Sequence, residues 1–356
     1  MGSGCFDSDV VVIGGGPGGC AAAITCASLG LRVLLLERNA FPVERPGETL
    51  HPGVESVLSQ LGLADRLHSV VGSRHAGIQI EWGNVSRFES YGEDGSGHWL
   101  GFQVWRSDFD AMLLERAREV GVKILQPCTV REVLMTRGAA TRVITSAGDV
   151  TAPIVVDASG RSHLLGTSLG IERNAYSPSL VARYGYAEGS LPELDLAPSL
   201  KGDSAGWLWK AMISPGLYHW TQVMLDGNRL PRDWRPDEFR GLVPRGSPRG
   251  ADVTWRLAEA SAGPGWFSVG DAAAVLDPTS ANGVLRALLS GITAGKLACG
   301  VRNGVLPPEE AAKIYKDWFL GWFRTASTQL REFYRSLGAT GFDDIGDTAI
   351  EVPRSK

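Results

Sequence analysis

The sequence is short of the residues that build several common kinds of site. Its 356 residues hold five cysteines, at positions 5, 20, 26, 128 and 299, and no CxxC pair. So odd and scattered a set excludes a disulfide scaffold and a zinc knuckle, and it fits a reducing, cytoplasmic setting. The six histidines are equally dispersed. His75, His163 and His219 lack metal-ligand spacing, so no metal site is expected. An excess of charge of one sign is also missing. The 35 basic and 39 acidic residues leave a formal charge of minus 4, which offers no electrostatic handle to nucleic acid or an anionic membrane. With 44% apolar and 21% charged residues the chain has ample material for a core, and its length fits two domains. Disorder, collagen and coiled coil are excluded on the same grounds.

The longest stretch without charge, residues 10–31, reads at first as a membrane span or signal sequence. Its punctuation contradicts that. Glycines and Pro17 separate a β-branched run from an alanine-rich run, which predicts a strand, a tight turn and a helix instead of one spanning helix. Asp7 and Asp9 stand where a signal peptide carries positive charge.

Val10-Val11-Val12-Ile13 predicts a buried parallel strand, and Gly14, Gly16 and Gly19 after it satisfy GxGxxG. The first glycine makes the turn. The second lets backbone approach a pyrophosphate, and the third lets a helix over residues 20–29 lie close on the strand with its N-terminus toward the phosphates. A second apolar strand, residues 33–36, ends at Glu37, an acid suited to ribose hydroxyls. A lone GxGxxG carries little weight, but the strand, turn, helix, strand and terminal acid together predict a dinucleotide site. An acid at that position favours FAD or NAD over NADP.

Two later motifs point to FAD. Ile154-Val155-Val156-Asp157 is an apolar strand running into a small-residue turn. Trp266-Phe267-Ser268-Val269-Gly270-Asp271 repeats the theme, and Asp277-Pro278-Thr279-Ser280-Ala281-Asn282-Gly283 leads into a helix expected over residues 284–299. Asp271 can accept hydrogen bonds from a ribityl chain, while the helix N-terminus directs positive charge at a flavin pyrimidine edge.

These motifs, with Val104-Trp105-Arg106-Ser107-Asp108-Phe109-Asp110 between the first two, resemble the class A flavoprotein monooxygenase group, which includes aromatic hydroxylases and flavin-dependent halogenases. The likeness spans roughly residues 8–300. It implies an α/β fold, a Rossmann-type FAD-binding domain with an inserted antiparallel β-sheet substrate domain and C-terminal helices. It also implies that Gly14, Gly16, Gly19 and Glu37 hold the adenosine diphosphate, that Val130 meets the adenine through its backbone, that Arg106 contacts the cofactor, and that Asp271 holds the ribityl chain. Pro278, Asn282 and Gly283 would line the isoalloxazine. Arg38, Arg45, Asp157 and Gly270 complete the expected cofactor set. A narrower likeness, carried by Arg45-Pro46-Gly47-Glu48-Thr49-Leu50-His51-Pro52 and Asp252-Val253-Thr254-Trp255-Arg256, is to halogenase-like flavoproteins that modify a tryptophan in quinone-cofactor amino acid oxidases.

Halogenases of the group carry a lysine beside the flavin on a strand that corresponds to residues 74–82, and this strand has none. They also carry WxWxIP, of which Trp207-Leu208-Trp209-Lys210-Ala211-Met212 keeps only the tryptophans. The simplest role for Trp207 and Trp209 is to pack one face of a strand, with Lys210 on the other. Hydroxylation therefore ranks above halogenation at this stage. Reduced flavin would react with molecular oxygen, and the target would be an aromatic ring, foremost a tryptophan of a partner oxidase protein. The alternatives are a small aromatic metabolite as substrate of a hydroxylase or halogenase, and a non-catalytic FAD-bound assembly factor. Glu48 and His51, in the loop after the Glu37 strand, are the candidate catalytic residues. No second GxGxxG exists for a stable nicotinamide site, and the resemblance to class A members implies a transient electron donor, NAD(P)H or reduced flavin.

Strand-like stretches at 75–82, 180–187, 206–213 and 217–225 predict the inserted sheet, and residues 189–204 and 228–250 read as loops. The expected division places FAD binding in 1–72, 103–175 and 250–305, substrate contacts in 73–102 and 176–249, and a helical segment at 306–340. In that last segment Tyr315, Phe319, Trp322, Phe323, Phe333 and Tyr334 recur at helical spacing, a stripe expected to pack onto the flavin domain.

Overall fold

The computed structural model describes residues 8–342 apart from 47–48, 136–140, 195–196, 226 and 281. Its helices are α1 (Pro17–Ser28), α2 (Gly53–Gln60), α3 (Arg106–Glu119), α4 (Leu164–Ser168), α5 (Gly283–Arg302) and α6 (Pro308–Ser336). They are arranged around two principal sheets.

The first sheet runs in the order Lys123–Leu125, Val33–Leu36, Val10–Ile13, Ile154–Asp157, Trp266–Ser268, Ala262–Gly263. All neighbours are parallel except the final pair. The apolar runs are unbroken because both faces are covered, so alternation would bury polar groups. Val10, Val12, Leu35 and Val156 face one core and Val11, Ile13, Leu34 and Val155 the other. The uncharged stretch is a strand, turn and helix, as its punctuation predicts, and α1 begins earlier than expected because Pro17 fits the first helical position.

A crossing of unusual closeness joins α1 to α5. A Cβ on Gly291 would lie 2.2 Å from the Gly18 carbonyl oxygen, and one on Gly295 would lie 2.8 Å from Cβ of Thr25. Ala21 and Ala22, both fully buried, complete the seam. Small residues therefore let two helix backbones touch, with the start of α1 lying against α5 one to two turns past its own start. By length and composition α5 can cross a membrane. Here Leu288, Ile292, Ala294 and Ala298 are instead buried in the core on one face of the first sheet.

The second sheet has eight strands, in the order Val243–Pro244, Val181–Glu188, Leu217–Met224, Gly206–Ser214, Ser199–Asp203, Gly77–Trp82, Val85–Ser90, with Arg249–Asp252 also paired to Val181–Glu188. The four expected strands are all present. Two expectations need correction. The sheet is mixed, since Ser199–Asp203 runs parallel to Gly77–Trp82. That segment, together with Val243–Pro244 and Arg249–Asp252, lies in stretches that read as loops. Their prolines, glycines and charges suppress intrinsic strand propensity, and pairing with a formed neighbour overrides it. Trp207, Ala182, Val223 and Leu200 face the core shared with the first sheet, while Leu208, Tyr218 and Trp220 join Phe239 and Leu191 on the other side. Lys210 is also on that outer side, buried and paired with Glu238 at 3.1 Å.

Helix α6 ties the two sheets together. Tyr315, Phe319, Phe323, Leu330 and Tyr334 are buried, as the stripe predicts, with Ile314 and Trp318 left on the exposed side. The Tyr315 hydroxyl donates to the Ser268 carbonyl at 2.8 Å. Phe333 meets Trp82 of the second sheet edge-on at 5.6 Å. The acidic residues Asp343, Asp344 and Asp347 that follow residue 342 lie outside the described residues.

Candidate functional site

The glycine turn is built as the spacing requires. Gly14 has φ +105°, and a Cβ there would sit 2.3 Å from the Ala158 carbonyl oxygen. A Cβ on Gly19 would lie 1.9 Å from the Gly14 carbonyl oxygen. Both positions therefore admit only glycine, and the turn delivers the first N–H groups of α1 with no side-chain cap on them. A helix N-terminus left open behind a bare backbone turn is a fitting cradle for a pyrophosphate.

Glu37 sits at the carboxyl end of its strand, buried, and its carboxylate accepts from the N–H groups of Gly15 at 2.7 Å and Asn39 at 3.0 Å. It braces the glycine turn as well as standing where ribose hydroxyls would come. The Cys128 N–H donates to the Glu37 carbonyl at 2.7 Å, bringing the strand that opens at Val130 beside this corner. Arg38 is exposed.

Two arginines and two acids then run in a chain across the cleft. Arg45 lies 3.6 Å from Glu37 and 3.7 Å from Asp110, and its guanidinium is 3.1 Å from where a Gly16 Cβ would be. Arg106 grips Asp110 with two hydrogen bonds of 3.0 Å and donates to the Pro46 carbonyl at 2.9 Å. Asp110 is fully buried, so its charge is held by these donors. Arg45 thus has the better view of the phosphate cradle, and Arg106 anchors the loop that carries it. Sequence reasoning gave Asp110 no role, although the Arg-x-x-x-Asp spacing on one helix face signals the pair.

Asp157 turns inward. Its two oxygens accept from the N–H groups of Ser159 and Leu165, each at 2.9 Å, which fixes the turn into α4. That geometry makes it a brace for the turn.

Ahead of α5, Gly270 and Asp271 lie with Gly283, Arg286, Phe319 and Trp322 around a small cleft that opens to solvent. Asp271 is half-exposed, 3.7 Å from Arg161. Asn282 precedes α5 without a side-chain cap, and Pro278 and Gly283 are exposed. Arg286 stacks on Trp322 at 4.6 Å, and burial pulls its titration down to about 10. The aromatic stripe of α6 therefore walls the cleft, a role beyond packing.

Glu48 lies outside the described residues. His51 stands between α5 and the second sheet: its Nδ1 accepts the Gly53 N–H at 3.0 Å, and its ring meets Tyr91 edge-on at 5.5 Å. Because Nδ1 is already an acceptor, Nε2 carries the proton of the neutral ring. Burial lowers the His51 pKa, which favours that neutral form. Beyond Tyr91 comes His75, which sequence reasoning set aside. Thr49 Oγ1 donates to Gln103 Oε1 at 2.9 Å, Gln103 Nε2 meets His75 Nε2 at 3.1 Å, and His75 Nδ1 meets the Gly77 carbonyl at 3.1 Å. The carbonyl can only accept, so the proton of His75 is on Nδ1.

Residues 9–168 match the FAD dependent oxidoreductase family. The protein is an FAD-dependent oxidoreductase. This oxidoreductase is 29% identical to the 1H-pyrrole-2-carbonyl-(peptidyl-carrier protein) brominase of Pseudoalteromonas luteoviolacea (strain 2ta16), over 92% of this chain and 85% of that one. It is 26% identical to the tryptophan 2-halogenase of Chondromyces crocatus, over 91% of this chain and 67% of that one. The solved structure of the flavin-dependent brominase Bmp2 superposes with a TM-score of 0.80 at 25% identity, over 92% of this chain and 87% of that one. The FAD-dependent oxidoreductase thus resembles enzymes that halogenate aromatic rings, across both of its sheets. These relatives favour the halogenase alternative over hydroxylation, which the absent lysine had placed first. Two departures from a local motif weigh less than a likeness over nine-tenths of the chain.

Proposed function

We propose that the oxidoreductase halogenates an electron-rich aromatic ring, free or held on a carrier protein, using halide, oxygen and an external electron donor. The observation that carries this reading is the likeness to the brominase, which runs through the second sheet as well as the FAD domain. FAD supplies the two-electron chemistry that activates oxygen. The chain's own groups hold and orient it. The α1 N-terminus and Arg45 face the pyrophosphate, Glu37 the ribose, and Asp271 the ribityl chain. The α5 N-terminus faces the ring edge that gains charge on reduction. His51, with its proton on Nε2, serves as a donor toward the substrate side, since acting as a base would require Nδ1 to give up the Gly53 N–H. Phe319 and Trp322 keep water from the ring face.

The decisive assay supplies purified protein with FAD, a flavin reductase, oxygen and bromide or chloride. Mass spectrometry then follows free tryptophan, a carrier-bound pyrrole and a candidate partner oxidase. A halogen isotope pattern on either of the first two is expected. Gain of oxygen without halogen would overturn the proposal in favour of hydroxylation, the reading that the lysine-free strand at 74–82 supports. Oxygen gained by the oxidase polypeptide would specify tryptophan in a partner. Separately, Asp271→Ala is expected to weaken FAD retention about tenfold or more, since a hydrogen-bonded carboxylate is lost from the ribityl position. Unchanged flavin stoichiometry on gel filtration would contradict that role.

A further inference from the structure

Asp277 is the first residue of the segment that runs to α5, and it is fully buried. Its Oδ2 accepts from the Trp255 indole N–H at 2.6 Å and from the Tyr334 hydroxyl at 3.0 Å. Its Oδ1 accepts from the Thr279 N–H at 3.0 Å and from the Thr279 hydroxyl. The Tyr334 oxygen in turn accepts from the Trp207 indole N–H at 2.9 Å. Three donors from separate parts of the chain thus meet on one carboxylate, Trp255, Tyr334 of α6 and Thr279, whose hydroxyl also lies 2.9 Å from the Tyr334 oxygen, while Trp207 of the second sheet reaches it only through that phenol. Phe342 stacks on the Tyr334 ring at 4.5 Å, so the phenol is clamped from behind.

A buried carboxylate is costly unless its donors are in place, so the position of each donor fixes the position of the acid. We infer that Tyr334 is a positioning residue for Pro278 and Thr279 and acts on them through the Asp277 carboxylate, so that α6 holds the chain just ahead of α5. This rests on the placement of the flavin ring beside the N-terminus of α5. The consequence is that removing a hydroxyl on the C-terminal helix alters flavin binding although Tyr334 itself lines no part of the cleft.

A double-mutant cycle on FAD affinity tests it, using holoprotein stripped of flavin and titrated with FAD by fluorescence. Tyr334→Phe is expected to weaken FAD about tenfold, the equivalent of one hydrogen bond to a charged group. In an Asp277→Asn background the same substitution is expected to change affinity by less than about twofold, because the two act on one carboxylate. Additive effects, or wild-type affinity in Tyr334→Phe, would overturn the inference. A purely structural tyrosine would lower thermal stability without moving FAD affinity, which the same titration detects. If Tyr334→Phe does not fold, Trp207→Phe, which removes the donor behind the phenol together with part of a buried indole, replaces it, with a weakening of about threefold expected and none overturning the proposal. Failure of the ring placement itself is told apart by Asp271→Ala, which would then bind FAD normally.

Discussion

Gly14→Ala is expected to purify colourless. The added carbon would lie 2.3 Å from the Ala158 carbonyl oxygen, in a backbone conformation of φ +105° that side chains rarely adopt. Both effects push the turn away from the N-terminus of α1, where the pyrophosphate must approach within hydrogen-bond distance of backbone. Strain of this kind amounts to a few kcal/mol, so FAD affinity should fall roughly a hundredfold or more. Gly30→Ala is the matching control. It has φ +87° and nothing within 4 Å, so it should lose a little stability yet stay yellow. A yellow Gly14→Ala protein with full flavin stoichiometry would show that this turn does not cradle the cofactor.

The second large effect concerns acid. Burial holds His75 neutral and drops its pKa from 6.5 to about 4, against a smaller opposing pull from the Gly77 carbonyl. The unfolded chain then binds the proton first. Stability contributed by the neutral ring is complete above pH 6.5 and is lost as pH falls toward about 4, by about 3 kcal/mol. Asp277 works in the opposite sense. Burial pushes its pKa from 3.8 up to about 6, so its contribution is greatest at low pH and declines as pH rises through that window. The two slopes oppose each other between about pH 4 and 6 and mask one another in the wild type. His75→Gln should therefore gain stability relative to wild type on acidification, by up to about 3 kcal/mol, measured by denaturant unfolding near pH 4 and near pH 7. A constant difference between the two proteins across that range would refute the assignment of a buried neutral His75.

Much of the FAD domain can be read from residue order because its signals are local. Gly14, Gly16, Gly19 and Glu37 fall within one strand-turn-helix-strand unit, so their order and spacing announce it even though Ala158 and Arg45, which crowd Gly14 and Gly16, come from elsewhere in the chain. What escapes the sequence is pairing over distance. Ser199–Asp203 has the composition of a loop and becomes a strand because Gly77–Trp82 and Gly206–Ser214 lie on either side of it. Asp110 and Arg106 are adjacent on α3, yet their importance depends on Arg45, sixty-odd residues away. His75 looks like a stray histidine until Thr49 and Gln103 are brought to it. The halogenase question shows the same limit from another side. A missing lysine is a local fact, whereas resemblance to the brominase is distributed over both sheets.

The seam between α1 and α5 has a further consequence. With Gly18 against Gly291, the two helices cannot draw closer or slide without main chain colliding, which sets a lower limit on the distance between their starting ends. On the proposed placement of FAD, those ends would face opposite halves of that one elongated molecule. The pair therefore works as a caliper with a minimum width, and a cofactor lacking either the adenylate or the ring would engage only one jaw.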